Sequence, residues 1–214
     1  MKNLFAPYIS LEKTGNSVDD LSALLNEQPK QHIDNLLWST NGYKPRVSFA
    51  IAYTGDSILL KYYVTEQYIK ATYQEINDPV FKDSCVELFV AFNADSNYYN
   101  LEFNCVGTPL IAYGSGKNNR IYLDEDTIRL ITTKFYFADS GYSDDLYDWE
   151  LTLRIPFNVF AYHHISSLRN QHCRANFFKC GDDLPEPHFL SWNNIEHDTP
   201  NFHLPQFFGL IAFA

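Results

Sequence analysis

Between residues 85 and 106 the chain alternates apolar and polar positions almost without interruption. Val86, Leu88, Val90 and Phe92 fall on one side of a strand and Cys85, Glu87, Phe89 and Ala91 on the other. Tyr99, Leu101, Phe103 and Cys105 then share one side, and Tyr98, Asn100, Glu102 and Asn104 the other, with the turn NADSN between the runs. If the runs pair as an antiparallel hairpin, their apolar sets must share the core face, because a one-residue slip turns every side chain over. Two registers satisfy this: Val86 opposite Cys105 with Glu87 opposite Asn104, or Glu87 opposite Glu102. In both, Glu87, Asn100, Glu102 and Asn104 lie together on a non-core face with Phe89 among them. Such a face is either an ordinary solvated sheet surface or a place where polar groups beside rings hold a ligand.

The remaining pattern is mostly of strand period. Residues 46–53 alternate through Val47, Phe49, Ile51 and Tyr53, the turn Thr54-Gly55-Asp56 follows, and Ile58, Leu60, Tyr62 and Val64 continue, which is a hairpin signal. Further strands are expected around Ile69, Ala71 and Tyr73, over 128–137, from Tyr147 to Ile155, over 175–180, over 189–192 and over 207–213. Pro156 stops the run from Tyr147 to Ile155 and opens a short turn of helix through Phe160. The spacing predicts one N-terminal helix over 17–26, with Ser17 as cap, Asp19 and Asp20 at its positive end, and Val18, Leu21, Leu24 and Leu25 as its apolar stripe. With about nine or ten strands, no fixed repeat and no βαβ alternation, the economical architecture is an all-β antiparallel sandwich, jelly-roll-like. At 214 residues the chain is expected to form one domain over 1–214, with residues 1–30 as a helical or extended lead-in.

Composition sharpens this picture. Aromatics make up 16% of the chain, with 15 Tyr and 17 Phe, which favours strands and supplies rings to binding surfaces. The net charge of −10, from 26 acidic and 16 basic residues without a Lys/Arg run, argues against nucleic acid as a partner. No stretch reaches the roughly 18 apolar residues of a membrane span, and the opening MKNLFAPYISLEKTG lacks the apolar run of a signal peptide. Cys85 and Cys105 fall on opposite parities, so a bridge between them is not supported. All four cysteines, with Cys173 and Cys180, read as buried free thiols.

The common phosphate-binding, dinucleotide and nucleophile-elbow motifs are absent. Glu87 and Glu102 could serve as a glycosidase acid and base, which need carboxyl separations of roughly 5–10 Å. His172-Cys173, Cys180 and His188 do not have zinc-site spacing. The acidic turns at 93–97, 124–126, 144–145 and 182–183 read first as solvated loops, with calcium as the alternative.

Four strings carry more. DSCVELF followed by YYNLEFN, with the later NFFKCGDDLPEPHFLSW and the closing FHLPQFFGLI, resembles the family 9-like carbohydrate-binding modules, β-sandwiches related to the DOMON type. The resemblance covers roughly residues 30–214 and implies non-catalytic glycan binding in support of polysaccharide use by bacteria. It implies that an aromatic just before the D-S-x-V-E motif stacks on a sugar ring, and that position falls on Phe81. The motif carboxylate falls on Glu87, the polar strand position on Glu102 with Asn104 beside it, and a looser basic match on Arg120. Phe81 stands where Trp is usual, and no Trp follows Trp192, so Trp192 and His203, with Phe202, are the candidates for the flanking face. The resemblance also implies a structural calcium and an extracellular or periplasmic setting, although the sequence shows no signal peptide. A glycoside hydrolase using Glu87 and Glu102, and an accessory interaction protein that has lost sugar binding, stand as alternatives.

Overall fold

The computed structural model describes residues 1–11, 17–138 and 146–214. In chain order the strands are β1 (Asn3–Ala6), β2 (Gln31–His32), β3 (Asn35–Leu37), β4 (Arg46–Tyr53) and β5 (Ser57–Glu66). Next come β6 (Cys85–Phe92), β7 (Tyr98–Asn104), β8 (Pro109–Gly114), β9 (Arg120–Tyr122) and β10 (Thr132–Phe137). The last are β11 (Tyr147–Pro156), β12 (His172–Cys180), β13 (Phe189–Ser191) and β14 (Gly209–Phe213). The helices are α1 (Val18–Asn26) and the single turn α2 (Glu125–Ile128).

Two sheets face each other. The larger has the order β1-β14-β12-β6-β7-β8-β9, with β13 also paired to β12 and β3 to β13; the smaller has the order β10-β11-β5-β4-β2. Pairing is antiparallel except between β1 and β14. Between the sheets, Phe49, Leu60, Leu151 and Leu153 of the smaller meet Val86, Leu88, Leu101 and Phe177 of the larger in one apolar cluster. Phe49 and Phe177 stack at 3.7 Å between ring centroids. The expected antiparallel β-sandwich with a short N-terminal helix is the observed one.

The outer face of each sheet is also covered, which alternation alone does not announce. On the smaller sheet, α1 lays Leu21 and Leu25 over Ala50, Ala52 and Leu59. Ser17 caps that helix through a reciprocal pair of bonds with Asp20. Lys61, on the covered face, places its ammonium against Ser22, Asn26 and Glu150. On the larger sheet, Leu37, Ile195 and Phe208 close over Phe89, Ala91, Tyr98 and Phe178. The polar face of the β6–β7 hairpin is therefore buried, not solvated: Glu87, Asn100, Glu102 and Asn104 are all at most 3% exposed.

Three sequence expectations shift. Residues 3–6, expected as part of a lead-in, form β1 at the sheet edge. The strand expected over 128–137 begins only at Thr132, because Asp124 caps α2 by accepting from the Thr127 N–H. The strand expected around Ile69, Ala71 and Tyr73 joins no sheet. There, side chains satisfy the backbone in place of a ladder: Ser84 Oγ accepts from the Lys70 N–H, Asp83 from the Tyr73 N–H, and Asn104 donates to the Tyr73 carbonyl. Asp83 and Ser84, the D-S of the motif, thus fix the segment that leads into Phe81. The acidic turn at 144–145 lies outside the described residues. Among those described, no helix is long and apolar enough to cross a membrane.

Asn104 holds this segment from two sides, since its amide also donates to Asp83 while its carbonyl accepts from Val106 and Thr108. Asn104→Ala strands several buried groups and is expected to lower the unfolding free energy by roughly 2–3 kcal/mol. Urea denaturation measures this, and an unchanged midpoint would contradict the role.

Candidate functional site

The register resolves to the second of the two alternatives: Glu87 opposes Glu102, with Phe89 opposite Asn100 and Cys85 opposite Asn104. Directly opposed positions bring Cβ atoms to about 4.5–5.5 Å, so the two carboxyls are neighbours on the floor of a cavity of about 220 Å³. Rings of Trp38, Phe81, Phe189 and Phe202 line this cavity, together with the polar groups of Glu87, Glu102, Arg120 and His203. Lys117 and Asp182 complete the charged part of the wall.

Each wall has a local cause. Pro79 precedes a turn of 3-10 helix, Val80–Lys82, that presents Phe81, and the Phe81 carbonyl is held by the Asp182 N–H. Arg120 opens β9 after the loop 115–119, which folds so tightly on Gly114 that a Cβ there would collide with the Asn119 carbonyl and the Arg120 backbone. His203 comes from the segment before β14; its Nδ1 bonds Tyr98 Oη at 2.8 Å and its ring packs on Phe89. Phe202 stacks on Phe178 at 4.2 Å.

The electrostatics of the floor follow from burial. Glu102 Oε1 receives Arg120 Nη1 at 3.1 Å and Asn100 Nδ2 at 2.9 Å, whereas Glu102 Oε2 has no protein partner. Burial raises the Glu102 carboxyl to about 7, against the pull of the Arg120 guanidinium. Glu87 has no such cation in contact, and burial, with the Glu102 charge beside it, lifts its carboxyl well above the ordinary range. Asp182 is raised by burial to about 6. His203 is lowered to about 3 by burial and then by Arg120 and Lys117, and stays neutral.

Of the residues singled out from sequence, Phe81, Glu87, Glu102, Arg120 and His203 converge on the cavity. Asn104 faces the 68–73 segment instead. Trp192 lies in the intersheet core, edge-on to Phe49 and Phe177, because β13 turns that side inward. Sequence reasoning passed over Trp38, Phe189, Lys117 and Asp182. The string STNGYKP after Trp38 signalled only a loop, and nothing local ties residue 38 to a hairpin fifty positions later. The paired acids at 182–183, read as a turn, carried a faint signal for Asp182.

All four cysteines are free thiols and buried. Cys85 and Cys180 oppose each other across β6 and β12, and Cys180 Sγ reaches Glu87 Oε1 at 3.1 Å. Among the described residues this trio is the group of three His, Cys, Asp or Glu side chains that converge closely. Two thiols and one carboxyl do not fit calcium, which takes six to eight oxygens. In the described acidic turns, Asp95 bonds the Tyr113 hydroxyl, Asp124 bonds Thr127 and Asp183 pairs with Lys82. His188 pairs with Lys179, itself bound to Glu66, in a separate buried cluster. A larger cleft of about 610 Å³ lies by Lys44, Arg46, Tyr136 and Glu150, but among the described residues no buried carboxyl pair faces it.

Known structures resemble this one over nearly its whole length. A candidate carbohydrate-binding protein from Bacteroides uniformis ATCC 8492 is 35% identical, with a TM-score of 0.87 over 100% of this chain and 99% of its own. A carbohydrate-binding module of family 9 from Caldicellulosiruptor kristjanssonii, solved with cellotriose, has a TM-score of 0.62 at 15% identity, covering 99% of this chain and 93% of its own. A family 9 module from the same organism, solved with glucose, has a TM-score of 0.59 at 14% identity, covering 100% and 96%. The last two likenesses speak for the fold alone. None of the curated proteins compared matches the chain. The model of carbohydrate-binding family 9 matches residues 19–213, and the chain belongs to that family.

Proposed function

We propose that this protein binds carbohydrate without cleaving it, in the cavity over the β6–β7 hairpin. The observation that carries the reading is the unpartnered Glu102 Oε2, buried on the floor of a cavity walled by aromatic rings. A buried oxygen without a partner calls for a hydrogen-bond donor from outside the protein, and a sugar hydroxyl is one. The remaining polar groups match the two-way chemistry of hydroxyls: Glu87, its carboxyl raised well above the ordinary range, keeps a proton more readily than a free carboxyl, Glu102 accepts, and Arg120 donates. Phe81 and the rings opposite supply apolar faces for the C–H side of a pyranose. The volume of about 220 Å³ suits one sugar ring, with any further residues lying at the rim.

Glycosidase carboxyls flank the scissile bond from two sides, whereas Glu87 and Glu102 stand side by side on one sheet face. That arrangement favours holding over hydrolysis. The neighbouring modules crystallised with cellotriose and glucose supply the first ligands to try.

Calorimetric titration with cellotriose, glucose and a wider glycan panel is expected to give saturable binding and no cleavage products. Phe81→Ala and Glu102→Gln should each weaken it by roughly tenfold, a loss of about 1.4 kcal/mol. Binding that survives both substitutions would move the site elsewhere, and release of shorter sugars would replace binding with hydrolysis.

The same floor makes stability depend on pH. Glu102 holds its proton more tightly folded than unfolded, so its contribution is complete below its ordinary value of 4.5 and is lost as pH rises through about 7. His203, shifted downward, acts in the opposite sense but only below 6.5. From pH 6.5 the melting temperature of the sugar-free protein should therefore fall and level off by about pH 8, and Glu102→Gln should flatten that fall. Parallel profiles for the two proteins would contradict the assignment.

A further inference from the structure

Immediately after β3, Trp38 has φ +48°, in the left-handed region that glycine and asparagine enter cheaply and a bulky side chain does not. Such strain persists where the surroundings over-determine it and concentrates at ligand sites. The surroundings are visible here. Trp38 Nε1 donates to the His197 carbonyl at 2.6 Å, and its ring packs against Phe189 and Phe202 at about 6 Å between centroids. The result is a half-buried indole that lines the cavity holding Phe81, Glu87 and Glu102.

We infer that Trp38 is a ligand-contacting residue whose indole face stacks on the pyranose held over Glu87 and Glu102. The inference rests on the carbohydrate-binding reading of this cavity and adds a residue that lies outside the D-S-x-V-E hairpin and its closing segment. An indole offers a broader apolar face than the phenyl rings of Phe81, Phe189 and Phe202. It therefore favours a ring whose hydroxyls are equatorial and whose axial C–H bonds make its faces apolar, as in glucose. The bond to His197 fixes the ring by its N–H edge, which is the edge a sugar stacked on the face does not need.

The chain supplies its own reporter. It contains three tryptophans, and the other two, Trp149 and Trp192, are each 1% exposed in the core. Quenching of tryptophan emission by acrylamide therefore reads Trp38 almost alone. With cellotriose and glucose as probes, sugar is expected to shift the emission and protect it from quenching in the parent protein. Trp38→Gly, which suits the left-handed backbone, should bind roughly tenfold more weakly, and Trp38→Phe by a smaller factor. The emission response should vanish in both. A purely architectural Trp38 predicts the reverse: calorimetric binding with no change in emission or quenching in the parent, a result that overturns the inference while leaving the binding function intact. If neither probe nor any panel sugar binds the parent protein, the carbohydrate-binding reading falls, and this inference falls with it. Because the parent's emission is decisive, misfolding of a variant does not blunt the test.

Discussion

The larger sheet is buried on both faces, and that constraint shapes everything around the site. A strand covered on one side can leave polar residues to water, but β6 and β7 cannot, because Leu37, Ile195, Phe208 and their neighbours roof the second face. Each polar side chain there must then find a protein partner, hold its proton, or meet a ligand. Asn104 takes the first course, burial drives Glu87 toward the second, and Glu102 Oε2, unpartnered on the cavity floor, is open to the third. The cavity is the gap in the roof over that remaining group.

Placing two carboxyls side by side in such a position works against stability. Burial raises both carboxyls, Glu87 without a cation in contact and Glu102 against the pull of Arg120, so two acids of unequal proton affinity and a guanidinium stand within one small floor. Trp38 repeats the pattern in the backbone, where an unfavourable φ is maintained by a hydrogen bond and two ring contacts. Local disadvantage at both places is carried by the well-packed core between the sheets, where Phe49, Phe177 and Trp192 meet.

Much of the fold was legible as period. The alternation of β4, β5, β6, β7 and β11 gave their faces, and the shared parity of the hairpin reduced its register to two choices, of which Glu87 opposite Glu102 is the one adopted. Covering of the second face was not legible, because an apolar cap made by Ile195, Phe202 and Phe208 has no period of its own. The segment around Tyr73 read as a strand because side-chain bonds from Asp83, Ser84 and Asn104 can satisfy an extended backbone as a neighbouring strand does. The floor of the site lay in one motif and was visible. Its walls came from distant loops, so Trp38 went unnoticed and Trp192, in a likelier-looking position, turned out to face the core.

Those walls also bear on how the chain reaches its native state. The Trp38–His197 bond joins residues 159 apart, Tyr98–His203 spans 105, and Arg120–His203 spans 83. Contacts of such sequence separation incur loop-closure entropy before they return any stabilisation. The β6–β7 hairpin needs only a short turn and can form without them. A chain caught with its sheets paired but its last segment unlatched would carry both carboxyls and lack their aromatic walls. Recognition is thereby restricted to molecules whose two ends have already met.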